Sequence, residues 1–283
     1  MGLTADEIVA YREQGIVVPA WRLPADRLAA LRAALDRVVA DNPGVRPEQL
    51  ISAHIARDSA EGVKGSDDFL RLACDPEIVG LVTPLIGPDV LLWGCQIFCK
   101  PGGDGREVPW HQDGQYWPIR PLATCTLWLA LDDSRVENGC LRVIPGSHRR
   151  RILHPHATDE RPDLALDRAV DPAALGTDPP LDIELPAGAM SLHDVYLIHG
   201  SAPNRSPRRR AGLALRYMPT SSLFDRAMFQ PRTTPGGLTV DFVHRPLWLV
   251  GGRDIDGRNG PFSPLPLNRP AESAESCPHD SLN

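Results

Sequence analysis

No stretch of this chain approaches the ~20 consecutive apolar residues needed to cross a bilayer. Residues Met1 to Ala20 lack a basic flank followed by an apolar run, so no secretory leader is expected there. Met1-Gly2 opens like a myristoylation signal, but Asp6 stands where Ser or Thr is needed. Basic residues are in deficit, 30 against 36 acidic, for a net charge of -6. That balance argues against a nucleic-acid partner. The six cysteines (Cys74, Cys95, Cys99, Cys125, Cys140 and Cys277) form no CxxC pair and mostly sit inside apolar runs, where a thiol acts as a small hydrophobe. A disulfide framework is therefore not expected. The expectation is a soluble, reduced, cytoplasmic protein without a membrane partner.

What is present is an ordinary globular composition. The chain has 283 residues, 42% hydrophobic and 23% charged, enough for one large domain or two small ones. Thr4 and Glu7 have capping-box spacing and Gly15 marks a helix end. Pro24 opens a second helix with Leu28, Leu31, Leu35, Val38 and Val39 on one face. Residues 41–68 are polar and broken by Pro and Gly, and read as a long loop that could serve as a lid. From Val90 the pattern changes to short β-forming runs: Val90–Lys100, Ala123–Leu131, Leu141–Ile144, Leu181–Leu185, Met190–His199 and Leu213–Met218. Many strands without intervening helices predict a β-sandwich or barrel. Residues 155–180 read as an insertion across one mouth. The expected organisation is one domain over 1–262, with a helical layer to about 85, a β core over about 86–220 and a capping segment over 221–262. A mobile tail is expected over 263–283.

The chemistry concentrates at Trp110-His111-Gln112-Asp113-Gly114. Two residues apart on an extended segment, His111 and Asp113 point to one side. A second imidazole would complete a facial triad of two histidines and a carboxylate, which leaves three adjacent positions for the ligands of Fe(II)-dependent O2 chemistry. His199 is that candidate. Each half alone is a weak signal, and a turn-bonded histidine is an adequate account of His199 by itself. Arg210 adds weight: the turn at Pro203, Asn204, Ser206 and Pro207 would fold its strand back beside that of His199, aiming a guanidinium suited to a carboxylate into the same cavity.

These stretches, with Lys100-Pro101-Gly102, Trp128-Leu129-Ala130-Leu131-Asp132-Asp133, Glu137-Asn138-Gly139 and Ile144-Pro145-Gly146-Ser147-His148, resemble the phytanoyl-CoA dioxygenase family of Fe(II)/2-oxoglutarate oxygenases. The resemblance spans about Val90 to Met218 and includes the N-terminal helices. It implies a double-stranded β-helix of jelly-roll, cupin-like form, with iron held by His111, Asp113 and His199. It also implies that Arg210 pairs with the distal carboxylate of 2-oxoglutarate, with Ser201 beside it and Lys100 near the co-substrate. Thr126 and Trp128 share a strand face that would wall this pocket. The intact Asp113 favours oxygenation, because related halogenases carry a small residue there. The implied reaction consumes O2 and 2-oxoglutarate, releases succinate and CO2, and oxidises a C–H bond of a small molecule.

Strand parity and proximity nominate Gln96, Gln112, Tyr116, Trp117, His193 and Arg216 as substrate-pocket residues, with the segment from Phe242 to Trp248 as a cap. Their polarity favours a small polar or carboxylate-bearing substrate over a bare lipid. Glu137-Asn138-Gly139 reads as a tight turn, and of Arg208-Arg209-Arg210 only one member should face inward. His148 to Arg151 reads as a surface cluster, and His54, His154, His156 and His244 as structural or exposed. Hydroxylation is the expected outcome, with desaturation, epimerisation or cyclisation on the same scaffold as the alternative. A redox-neutral or non-catalytic cupin-like metal protein is the second alternative. Substrate identity and oligomeric state are not encoded in these motifs.

Overall fold

The capping box forms as its spacing predicts. Thr4 and Glu7 bond reciprocally at the start of α1 (Ala5–Gln14), and Gly15 ends the helix at φ 81°. The structure, a computed structural model, describes residues 2–56, 62–176, 179–229, 231–234 and 238–266. Most of the tail expected from 263 onward therefore lies outside the described residues, as does Cys277. After β1 (Ile16–Val17), α2 (Ala25–Asp41) buries Leu28, Leu31, Leu35 and Val38, the apolar face read from the sequence.

The segment expected to be a lid differs from that reading. Residues Glu48 to Ile55 are buried, and β2 (Leu50–Ile51) forms part of the molecule's wall. Its apolar residues Leu50, Ile51, Ala53 and Ile55 outweigh the Pro and Gly that read as loop. Residues 57–61 of that segment lie outside the described residues. Ser66 and Asp75 then cap two helices not individually marked in the sequence, α3 (Asp67–Ala73) and α4 (Pro76–Ile86), completing the helical layer.

Thereafter the chain is mostly strand and turn: β3 (Val90–Lys100), β4 (Val108–His111), β5 (Ile119–Arg120), β6 (Cys125–Ala130), β7 (Leu141–Val143), β8 (His156–Thr158) and β9 (Arg168–Val170). There follow β10 (Leu181–Ile183), β11 (Met190–Asp194), β12 (His199–Ser201), β13 (Arg210–Pro219), β14 (Leu223–Phe224), β15 (Arg232–Thr233), β16 (Thr239–Val240) and β17 (Trp248–Gly251). Two sheets make the jelly roll. The larger runs β1-β11-β6-β13-β3-β17 with β2 also on β3, and the smaller runs β10-β7-β12-β4. Three strand pairs, β5 with β14, β8 with β9 and β15 with β16, are the accessory ribbons.

The larger sheet is buried on both faces. On β13, Ala211, Leu213, Leu215 and Tyr217 join the core beneath the helices. Arg210, Ala214 and Arg216 alternate to the inner side. On β6, Cys125, Leu127 and Leu129 go outward to the helices, while Thr126 and Trp128 go inward. Each Leu so buried stabilises the fold by roughly 1.5–3 kcal/mol.

Two expectations about strand partners are corrected. The run Met190–His199 is not one strand. Asp194 accepts from Tyr196 N through its carboxylate (2.8 Å) and from Leu197 N through its carbonyl (3.0 Å), and this turn sends β11 to the larger sheet and β12 to the smaller. For the same reason β13 does not fold back beside β12. It pairs with β3 and β6 and faces β12 across the sandwich. His148 is also not a surface residue: it is buried against α1, with Nε2 donating to Arg12 O (3.1 Å). No helix among the described residues is long and apolar enough to cross a membrane.

Candidate active site

His111 ends β4, and His199 starts β12 directly opposite it in the antiparallel register. Their ring centroids are 4.2 Å apart. Asp113 is not on the strand but opens a short 3-10 turn, Asp113–Gln115, after extended Gln112. That turn still brings its Oδ1 within 3.7 Å of His111 Nε2. One ligand atom from each of the three residues lies within 4.8 Å of the others, and all three side chains are buried.

The local hydrogen bonds fix both ring tautomers. His111 Nδ1–H donates to Pro109 O and His199 Nδ1–H to Leu197 O, each at 2.9 Å. Both Nε2 atoms are thereby left as acceptors, the orientation a metal-binding imidazole needs. Burial pushes the His199 pKa well below the usual value, and the neighbouring His111 adds to this. Burial works to raise the Asp113 pKa, but the nearby rings of His111, His193 and His199 and the Arg216 charge hold it well below the carboxylate range. Thr126 Oγ1 donates to Asp113 Oδ2 (3.3 Å), and His193 Nε2 lies 3.7 Å from the same oxygen. Two imidazoles and a carboxylate, converging and buried, fit a divalent cation of the iron type.

Arg210 looks into this cavity from the opposite sheet. Its Nη2 donates to Ser201 Oγ (3.5 Å), its guanidinium lies 5.5 Å from the Trp128 ring, and its Nε has no hydrogen-bond partner among the described residues. Burial lowers its pKa to about 10. A desolvated guanidinium with open donors fits a carboxylate ligand. Gly212, two residues along, makes the stack possible: a Cβ there would stand 1.9 Å from Trp128 Cζ2. The cavity measures about 480 Å³ and is lined by Thr126, Trp128, His193, Ser201, Arg210 and the three cluster residues, among others.

Two nominated residues lie elsewhere. Lys100 does not line the cavity. It is fully buried behind β12, donating to Ser201 O (3.2 Å) and Ala202 O, and burial together with the Arg210 charge lowers its pKa well below the usual range. Gln112 is a strut rather than a pocket wall. Its amide donates to Ile152 O (2.9 Å) and Tyr196 O (2.7 Å) and accepts from His154 N (2.8 Å). Its own N–H is received by His156 Nε2 at 3.0 Å, so that histidine braces the backbone between His111 and Asp113.

Gln96, Tyr116, Trp117 and Arg216 line a second cavity of about 640 Å³, which shares His111, Asp113, Phe98 and Arg216 with the first. The 155–180 insertion reaches it through Ala165, Leu166 and Asp167, and the C-terminal segment through Thr234, Val240 and Phe242. Gln49 also lines it and had no sequence signal, being a polar residue in an aperiodic polar stretch.

This fold, with such a cluster at the mouth of its smaller sheet, defines a non-haem iron oxygenase of the cupin-like class. The family model described as phytanoyl-CoA dioxygenase (PhyH) matches residues 11–212, and the chain belongs to that family, as an Fe(II)/2-oxoglutarate-dependent dioxygenase. An ectoine dioxygenase of Bordetella parapertussis is 26% identical over 234 residues, covering 76% of this chain and 75% of that one. Among solved structures, the non-heme monooxygenase ThoJ superposes with a TM-score of 0.66 at 23% identity, covering 91% of this chain and 88% of that one. SnoK, a non-heme alpha ketoglutarate dependent carbocyclase from nogalamycin biosynthesis, gives 0.61 at 24% identity, with 78% and 86% covered. The two structural likenesses speak to the fold.

Proposed function

We propose that His111, Asp113 and His199 hold Fe(II), that Arg210 and Ser201 bind the distal carboxylate of 2-oxoglutarate, and that the enzyme hydroxylates an unactivated C–H bond of a small metabolite or natural-product intermediate. One observation carries this reading. Three convergent ligand groups, two on the smaller sheet and one on the turn after β4, face a buried guanidinium with an open Nε on the larger sheet, across a single cavity. When bound, iron would let O2 act as a four-electron oxidant, two electrons coming from 2-oxoglutarate as it is decarboxylated to succinate and CO2 and two from the substrate C–H bond, with one oxygen atom going to succinate and the other to the hydroxylated product.

The chain's own residues do the positioning. The Nδ1–H bonds to Pro109 O and Leu197 O hold both imidazoles with Nε2 toward the cavity. Thr126 keeps the Asp113 carboxylate aimed, and Gln112 with His156 keeps its backbone in place. Val108, Leu141 and Trp128 give the first cavity an apolar wall. The second cavity meets the first at His111 and Asp113, which would place a substrate beside the metal without ligating it.

Anaerobic titration with Fe(II) and 2-oxoglutarate tests the reading, because their chelate gives a weak visible charge-transfer band. The band is expected in the wild type and not in Arg210→Ala. A wild type that gives no band and no 2-oxoglutarate turnover would instead indicate a redox-neutral metal protein. Hydroxylation is separated from desaturation, epimerisation and cyclisation by the mass and stereochemistry of the product.

A further inference from the structure

We infer that the second cavity binds its substrate through a carboxylate, with Arg216 as the anchoring cation and Gln96 beside it; the inference rests on the metal-site reading above. Arg216 is only 6% exposed and lies between two indole rings, 5.7 Å from Trp93 and 5.1 Å from Trp117. Its Nη2 donates to Gln96 Oε1 at 3.0 Å, and its Nε has no hydrogen-bond partner among the described residues. A guanidinium stripped of water and left without a bonded counter-charge is costly to hold. Packing alone would be served as well by a Met or Leu on that strand. Asp113 is the carboxylate whose charge acts on it, and that charge is committed to the metal.

The co-substrate does not answer for this cation. Arg210 and Arg216 sit six residues apart on one strand, about 20 Å between their backbones at ~3.3 Å per residue, and of the two only Arg216 also lines the second cavity. The second cavity, which Arg210 does not line, therefore presents a cation of its own beside His111 and Asp113. Its other walls mix apolar Ile51, Trp117, Val240 and Phe242 with polar Gln49, Tyr116, Asp167 and Thr234. This combination fits a carboxylate carried on a body of modest size that is part apolar and part polar.

The test uses the full chain as its anaerobic Fe(II)·2-oxoglutarate complex, with hexanoate and 3-phenylpropanoate as probes beside the matching primary amides. Trp93 and Trp117 flank the cation, so binding is read as a change in tryptophan fluorescence. The carboxylates are expected to bind roughly 30-fold or more tightly than the amides, and Arg216→Gln to abolish that preference. Arg216→Lys should retain part of the preference. If Arg216→Gln fails to fold, Gln96→Leu reads the same subsite and should weaken the carboxylates about tenfold. Equal binding of acids and amides, no binding of any probe, or an undiminished preference in the folded variant would overturn the assignment. A wild type without the visible band indicts the metal reading instead, and the same fluorescence titration on the metal-free chain still reports on Arg216.

Discussion

His111 and His199 are cross-strand partners, held in register by the antiparallel pairing of β4 and β12 and each fixed by a bond from Nδ1 to the carbonyl two residues before it. The metal-binding pair is thus preset by a backbone ladder and repeats one local device twice. Removing either ring should lower Fe(II) affinity by more than about 100-fold, beyond what loss of an outer partner does. Calorimetric titration of His199→Ala with Fe(II) checks this, and a change of only a few-fold would place the ligand elsewhere.

His156 tests the support behind that pair. It touches no predicted ligand atom but accepts the Gln112 N–H between His111 and Asp113. His156→Ala is expected to weaken metal binding by ~10–100-fold with all three ligands intact. Unchanged affinity in a folded variant would show that the backbone holds the turn without it.

Arg210 should behave differently in its two contexts. For 2-oxoglutarate, Arg210→Ala is expected to cost about 2–5 kcal/mol of binding, measured as a raised Kd in the anaerobic titration. The metal-free protein should lose little or no thermal stability on the same change, since a buried cation without a carboxylate partner is removed. A large drop in Tm would mean that the stack on Trp128 is chiefly structural.

Gly212→Ala probes that stack from behind. The added methyl would meet the Trp128 ring at 1.9 Å, far inside contact distance, so indole or strand must move. A stability loss of about 1–3 kcal/mol is expected. Weaker 2-oxoglutarate binding should accompany it, read from melts and titrations of one preparation.

His54 carries a pH prediction. Burial first, then the charges of Arg245 and Arg216, push its pKa well below 6.5 in the folded chain. The unfolded chain binds the proton more readily, so this stabilising contribution is complete above pH 6.5 and is lost as pH falls below it toward the folded value. The slope from this group is at most about 1.4 kcal/mol per pH unit. Denaturant midpoints between neutral and acid pH should fall less steeply for His54→Leu than for the wild type.

Local features were legible in the sequence to the residue. The capping box at Thr4, the bounds of Val90–Lys100 and the left-handed Gly139 after Glu137-Asn138 (φ 77°) all depend on a few neighbours, and each stands where its local chemistry puts it. One member of Arg208-Arg209-Arg210 faces inward as expected, though not through alternation: β13 begins at Arg210, and ahead of it Arg209 pairs outward with Asp132 and Asp36 and Arg208 with Glu137. Sheet membership was not legible, because alternation gives the face of a strand and not its partner. That is why Arg210 was expected beside His199 and stands across from it. The work of Gln112 and Lys100 was hidden for a related reason. Their partners, Ile152 and Tyr196 for one and Ser201 and Ala202 for the other, are 40 to 102 residues away in sequence.

Because both histidines of the cluster are anchored to one sheet and the facing guanidinium to the other, no loop sets the distance between them. The thickness of the sandwich does, through the packing of Trp128, Leu141 and Phe98. On the proposed reading the core is a ruler for diacids. An oxo-acid one carbon shorter than 2-oxoglutarate would leave Arg210 unreached, and one carbon longer would meet the indole. Choice of co-substrate length would then be a property of how tightly the hydrophobic interior is filled, and cavity-making changes there should relax it without altering any residue that touches the acid.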